Sequence, residues 1–353
     1  MSDLADDPPK RSAGALCQRR VPLPWPEDRD FRILAIDGGG IRGIFPAAFL
    51  AGLEAGYLGG VSVADHFDLI AGTSTGGILA TGLGAGLTAN ELSDLYIRRG
   101  GEIFPPIRSG LLGSAERRVR DSCQYFKFRY DRKALMRMLR EKLGDRKLGE
   151  STNRLCIPSF DGRYGEVYIF KTPHHPDFRK DAHERMTKVA AATAAAPTFY
   201  QPLEDGGYTF VDGGVWANNP IMIALVDALS CFDVPRDRVR ILSLGCGDDP
   251  YVVGRPKIVS GGLLAWRDII YAAMRLQSLN ALGQAGLLIG AERIIRADAP
   301  ASEQKIQMDD WVRARDELPG AAERALELMG RRVADTFFSE LAAPYVPWFT
   351  VTH

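Results

Sequence analysis

The sequence predicts an α/β fold: a largely parallel sheet covered by helices on both faces. Three observations carry that reading. Short apolar runs alternate with helical stretches from residue 31 to about residue 250. The 37 glycines cluster in corners directly after those runs instead of spreading as low-complexity sequence. The 353 residues are 46% hydrophobic and 25% charged, an ordinary globular balance with ample length for a large core.

Residues 1–30 are acidic, then basic, and proline-rich. They read as a flexible lead-in without the apolar core of a signal peptide. "FRILAID" (31–37) is a buried-strand pattern, followed by "GGGIRG" and the apolar helix "IFPAAFLAGLEAGYL". "FDLIAG" (67–72) is a second strand, with a helix from Gly77 to Gly86 after it. "NELSDLYIRRGGEIF" reads as a third helix capped by Thr88. "RLCIPSFD" and "GEVYIFKT" read as strands joined by a turn at Asp161-Gly162. "MTKVAAATAAAP" is helical up to Pro197. "YTFVDGG", "IMIALVDALSCF" and "VRILSLGCG" read as strand, helix and strand. The part from 251 to 353 reads as mostly helical, at 262–289 and 321–341, and packed on the domain formed by 31–250.

Several function classes are excluded early. Formal net charge is zero, so the chain lacks the global basic signature of a nucleic-acid binder. Five scattered cysteines without a CxxC pair argue against a disulfide framework or a zinc site, and fit reduced thiols in the cytoplasm. No run approaches 18 apolar residues, so membrane contact is expected to be peripheral. Segment 111–150 breaks the balance, with twelve Lys or Arg against six Asp or Glu, an excess of +6. It reads as a solvated helix face, a lid or dock for anionic headgroups, or the seat of an anionic ligand.

Gly72-Thr73-Ser74-Thr75-Gly76 fits GxSxG at a strand-to-helix corner. A nucleophile elbow is so tight that flanking side chains would clash. Glycines relieve the clash and leave the serine oxygen exposed at a helix N-terminus. Asp37-Gly38-Gly39-Gly40-Ile41-Arg42-Gly43 follows the first strand. Its bare backbone N–H groups, those of Gly39 and Gly40 first, are candidates to receive an oxyanion. Arg42 either holds this loop or meets a lipid phosphate. Gly38, Gly40 and Gly43 also satisfy GxGxxG. That rival, a dinucleotide-binding oxidoreductase, wants an acidic residue at the end of the second strand. Asp65 and Asp68 lie at its start instead.

The usual Ser–acid–His order finds no suitable histidine. After residue 183 only the terminal His353 remains. His66 points to the far end of the Ser74 strand, and His174, His175 and His183 lie in a polar loop. The base is therefore expected to be a carboxylate. Asp212, at the end of an apolar strand and before Gly213-Gly214, is the candidate, with an Asx-turn aspartate as the bland alternative.

Together, Asp37 to Gly43, Gly72 to Gly76, Asp212-Gly213-Gly214 and "AATAAAPTFYQP" (191–202) resemble the patatin-like phospholipase family over roughly residues 31–250. The resemblance implies a three-layer α/β/α fold with a mostly parallel sheet. It implies a lipid acyl hydrolase with Ser74 as nucleophile, Asp212 as base and Gly38, Gly39 and Gly40 as oxyanion hole. It implies an acyl-enzyme on Ser74, no metal and no cofactor. The chain also looks like stand-alone bacterial patatin-like effectors of antiphage systems. That likeness implies a cyclic di- or trinucleotide activator, membrane phospholipid as substrate, action on the inner face of the cell membrane and homo-oligomerisation as a candidate state. An unregulated lipid acyl hydrolase or esterase is the alternative.

Overall fold

The computed structural model describes residues 19–106, 128–247, 253, 269–300 and 306–351. In chain order, β1 (Leu23–Pro24) precedes β2 (Phe31–Ile36), α1 (Ile44–Tyr57), β3 (Leu69–Gly72), α2 (Thr75–Gly84), α3 (Ala89–Ile103) and α4 (Lys133–Leu143). Then come β4 (Arg154–Asp161), β5 (Glu166–Lys171), α5 (Met186–Thr193), β6 (Leu203–Asp205), β7 (Tyr208–Asp212) and the short α6 (Gly214–Ala217). The chain continues through α7 (Ile221–Cys231), β8 (Phe232–Asp233), β9 (Val239–Leu244), α8 (Ile269–Ile289), β10 (Ile294–Ala297) and α9 (Trp311–Phe337).

The main sheet runs β10-β9-β2-β3-β4-β7-β6, with β5 paired to β4 off this path. It is parallel from β10 to β4 and antiparallel from β4 outward. Alternation along β2 explains the layers. Leu34 and Ile36 point into a core with α1, α2, α5 and α9, while Phe31, Ile33 and Ala35 point into a second core with α7 and α8. The result is the three-layer α/β/α arrangement, with every β2 residue buried. The Thr88 cap forms as a capping box: Thr88 Oγ1 accepts from the Glu91 N–H at 3.1 Å, and Glu91 Oε2 accepts from the Thr88 N–H at 2.9 Å.

The sheet register brings the site together. One edge of β4 is taken by β5 from Cys156 to Asp161. The other edge carries β3 opposite residues 154–156 and β7 opposite residues 159–161. The end of β3, just before Ser74, therefore faces the end of β7, where Asp212 pairs with Ser159.

Three expectations need correction. The lead-in reading of 1–30 fails from residue 23 on; residues 1–18 lie outside the described residues. β1 pairs with β8, and Trp25, 9% exposed, packs on Phe31 and Phe232. The C-terminal part is not only helical: residues 294–297 form β10 and extend the main sheet beside β9. The last helix starts at Trp311, ten residues earlier than read, and continues through Pro319. A proline removes one helical donor but leaves room for a helix held by outside packing. Much of the basic segment, residues 111–127, lies outside the described residues; α4 occupies 133–143. Among the described residues, no helix is long and apolar enough to cross a membrane.

Candidate active site

Ser74 stands between the last residue of β3 and the first of α2, one step beyond Thr73, with φ 54° and ψ −120°. A non-glycine residue in the left-handed region stores about 1–3 kcal/mol and needs firm surroundings. The flanking glycines supply the space. A Cβ on Gly72 would overlap the Gly76 carbonyl, and one on Gly76 would overlap the Ile36 carbonyl. Thr73 Oγ1 donates to the Ala217 carbonyl at 2.7 Å and fixes the other shoulder of the turn.

Ser74 Oγ donates to Asp212 Oδ2 at 2.6 Å. The other carboxylate oxygen accepts from the Gly214 N–H at 2.7 Å. Asp212 is buried, and burial pushes its pKa up to about 6, against the pull of the hydrogen bonds from Ser74 and Gly214. A carboxylate in that range is a competent base at neutral pH. Gly213 lies against the Pro158 carbonyl so closely that a Cβ would overlap it.

The glycine loop crosses beside the serine. A Cβ on Gly38 would sit 3.2 Å from Ser74 Cβ and 2.6 Å from Asn218 Oδ1. The Gly38 N–H, however, donates to the Asn218 carbonyl at 3.0 Å, so it is not available to an oxyanion. Of the three residues expected to form the hole, Gly38 is thus a spacer. The N–H groups of Gly39 and Gly40 bond to no described residue. Gly40 has φ +60°, and a side chain there would also overlap the Met308 carbonyl. Gly43 abuts the Thr75 hydroxyl. Arg42 is buried; its guanidinium donates to the Gly247 and Gly39 carbonyls, which puts it in the loop frame rather than at a lipid phosphate.

The loop is anchored from an unexpected quarter. Asp37 Oδ1 and Oδ2 accept from Arg296 Nη1 and Nη2 at 3.0 and 2.7 Å. Arg296 also donates to Ser243 Oγ at 2.8 Å and Asp298 Oδ2 at 2.7 Å. Asp298 in turn accepts from the Gly247 N–H at 2.6 Å, closing a network back to Arg42. Replacing Arg296 with methionine removes the guanidinium paired with the buried carboxylate of Asp37, 2% exposed. The expected cost is about 3–5 kcal/mol. It reads out as a lower urea midpoint at unchanged m-value, and an unchanged midpoint would contradict it.

The chain matches the patatin-like phospholipase profile over residues 34–225, a span that contains Ser74 and Asp212. It is 35% identical to the cGAMP-activated phospholipase of Vibrio cholerae over 67% of this chain and 70% of that protein. The chain belongs to the patatin-like phospholipase family. It is 33% identical to the cGAMP-activated phospholipase of Pseudomonas aeruginosa over 72% of this chain and 75% of that one. It is also 35% identical to patatin-like protein 2 of Arabidopsis thaliana over 66% and 64% of the two chains. Membership makes the protein a carboxylic ester hydrolase acting on lipids.

No described histidine bonds to Ser74 or Asp212. His66 Nδ1 faces the Glu340 carbonyl at 3.0 Å, and His175 Nε2 the Val21 carbonyl at 3.1 Å. His174 is locked between Thr172 Oγ1 at 2.8 Å and Asp227 Oδ2 at 2.6 Å. Asp227 is also paired with Lys171. Cys156 completes this buried group on the α7 side of the sheet. The Lys171 ammonium neutralises the same carboxylate. Cys156, Cys231 and Cys246 form no disulfide among the described residues; Cys17, Cys123 and His353 lie outside the described residues.

Sequence reasoning missed Arg296 and Thr193. Thr193 Oγ1 accepts from the Ser74 N–H at 3.0 Å. A signal existed for each: a buried Asp37 at a strand end requires a cation, and Thr193 is the lone polar residue in "AAATAAAP".

Proposed function

We propose that the protein is a phospholipase of the A type that cleaves ester-linked fatty acids from membrane phospholipid through a Ser74–Asp212 dyad. The observation that carries this reading is the 2.6 Å hydrogen bond from Ser74 Oγ to a buried carboxylate. Asp212 accepts the serine proton as Oγ attacks the ester carbonyl carbon. The N–H groups of Gly39 and Gly40, with the N-terminus of α2, stabilise the oxyanion. Asp212 returns the proton to the departing lysolipid alkoxide, leaving an acyl-enzyme. Water then gives a proton to Asp212, attacks the acyl carbon and releases the fatty acid, and the proton goes back to Ser74.

The names of the Vibrio and Pseudomonas relatives support a further step: a cyclic nucleotide switches the activity on. In this reading the chain is a cytoplasmic antiphage effector that attacks the inner face of its own cell's membrane. The test is fatty-acid release from phosphatidylethanolamine–phosphatidylglycerol vesicles, with and without a panel of cyclic di- and trinucleotides including cGAMP. One member of the panel is expected to raise the rate roughly tenfold or more. Equal rates across the panel favour the unregulated hydrolase. No release from vesicles under any condition contradicts the phospholipase reading.

A further inference from the structure

The structure assigns Thr193 as the positioning residue that ties the nucleophile corner to the strand carrying the base. The assignment rests on reading Ser74 and Asp212 as the dyad.

Thr193 is the last residue of α5 and is wholly buried. Its hydroxyl works in both directions. Oγ1 accepts from the Ser74 N–H at 3.0 Å and donates to the Pro158 carbonyl at 2.6 Å. Pro158 lies on the β4 edge between the stretch that pairs with β3 and the stretch that pairs with β7. The hydroxyl therefore bridges the one place where no strand pairing joins the two halves of the site.

The backbone beside it holds the other half. The Thr193 carbonyl accepts from the Gly213 N–H at 3.3 Å, and the Ala195 carbonyl accepts from the Asp212 N–H at 3.0 Å. One end of α5 thus grips Ser74 by a side chain and Asp212-Gly213 by main chain. The methyl group faces elsewhere. A Cβ on Gly77 would sit 2.6 Å from Thr193 Cγ2, so the methyl packs on the first turn of α2.

The hydroxyl matters because of the backbone it meets. Ser74 holds φ 54° only while its surroundings over-determine that conformation. Without that acceptor its part-buried N–H loses its partner, and the corner relaxes. Oγ then leaves its line to Asp212 Oδ2. The Ser74 hydrogen bond is one of the interactions opposing the upward push of burial on Asp212, so its loss moves the base to a higher pKa.

The test compares Thr193→Val, which keeps the shape and removes the hydroxyl, with Thr193→Ser, which keeps the hydroxyl. Both are assayed as full chain with cGAMP present, on a soluble p-nitrophenyl ester, with folded fraction measured by circular dichroism. In Thr193→Val, kcat is expected to fall about 10- to 100-fold at nearly constant KM. The acid limb of its kcat/KM profile moves to higher pH. Thr193→Ser restores both the rate and the limb. An unmoved limb in folded Thr193→Val, or equal losses in the two variants, overturns the assignment. Failure of the wild-type Ser74 to react with a fluorophosphonate would overturn the dyad itself, and this assignment with it.

Discussion

Replacing Ser74 with alanine abolishes fatty-acid release, by about 10⁵- to 10⁶-fold, and leaves the protein folded. Among the described residues the side chain has one polar contact, to Asp212 Oδ2. Its removal deletes the nucleophile and leaves the shape of the corner alone, because the glycines at 72 and 76 make that shape. Asp212 keeps its bond from the Gly214 N–H. Release from phospholipid vesicles, measured beside a thermal melt, checks both halves. A variant within tenfold of wild type would remove Ser74 from the chemistry.

Replacing Asp212 with asparagine costs about 10⁴-fold in kcat and stabilises the fold at neutral pH. The amide keeps the size and the contact to Ser74 but is no base. The stability sign follows from the burial. Asp212 has its pKa raised from an ordinary 3.8 to about 6 in the folded protein. The folded state therefore binds the proton more tightly than the unfolded one. Ionised Asp212 destabilises the fold above about pH 6, and the penalty fades as pH falls towards the unfolded value. At full ionisation it amounts to about 3 kcal/mol. Urea unfolding should show Asp212→Asn more stable than wild type at pH 7.5 and level with it near pH 4. A gap of the same size at both pH values would contradict a raised carboxylate. The same group sets the rate: wild-type kcat/KM falls about tenfold per pH unit below the Asp212 pKa.

The parts of this molecule that depend on local backbone were legible in the sequence. Ser74 and the glycines at 72, 76 and 38–40 occupy turns where side chains have no room, and such turns declare themselves in composition. The place of His66 was equally legible: it precedes the strand that leads to Ser74, and its ring meets the Glu340 carbonyl. What escaped depends on distant partners. β10 is four residues flanked by Glu292, Arg293 and Asp298, too short and too charged at its ends to read as a strand. Its Arg296 meets Asp37 only across the completed sheet. Leu23 and Trp25 lie among three prolines, which resemble a loose tail until β8 is there to receive them. Gly38 misled for a related reason: nothing local reveals that the Asn218 carbonyl occupies its N–H.

Whether Asp212 alone drives Ser74 is tested most directly by labelling with a fluorophosphonate probe, followed by peptide mapping, in wild type and Asp212→Asn. The probe is expected to modify the peptide carrying Ser74 in wild type. In folded Asp212→Asn the labelling rate is expected to fall by roughly 10³-fold or more. Modification of another residue, or an undiminished rate in the variant, would contradict a serine–aspartate dyad.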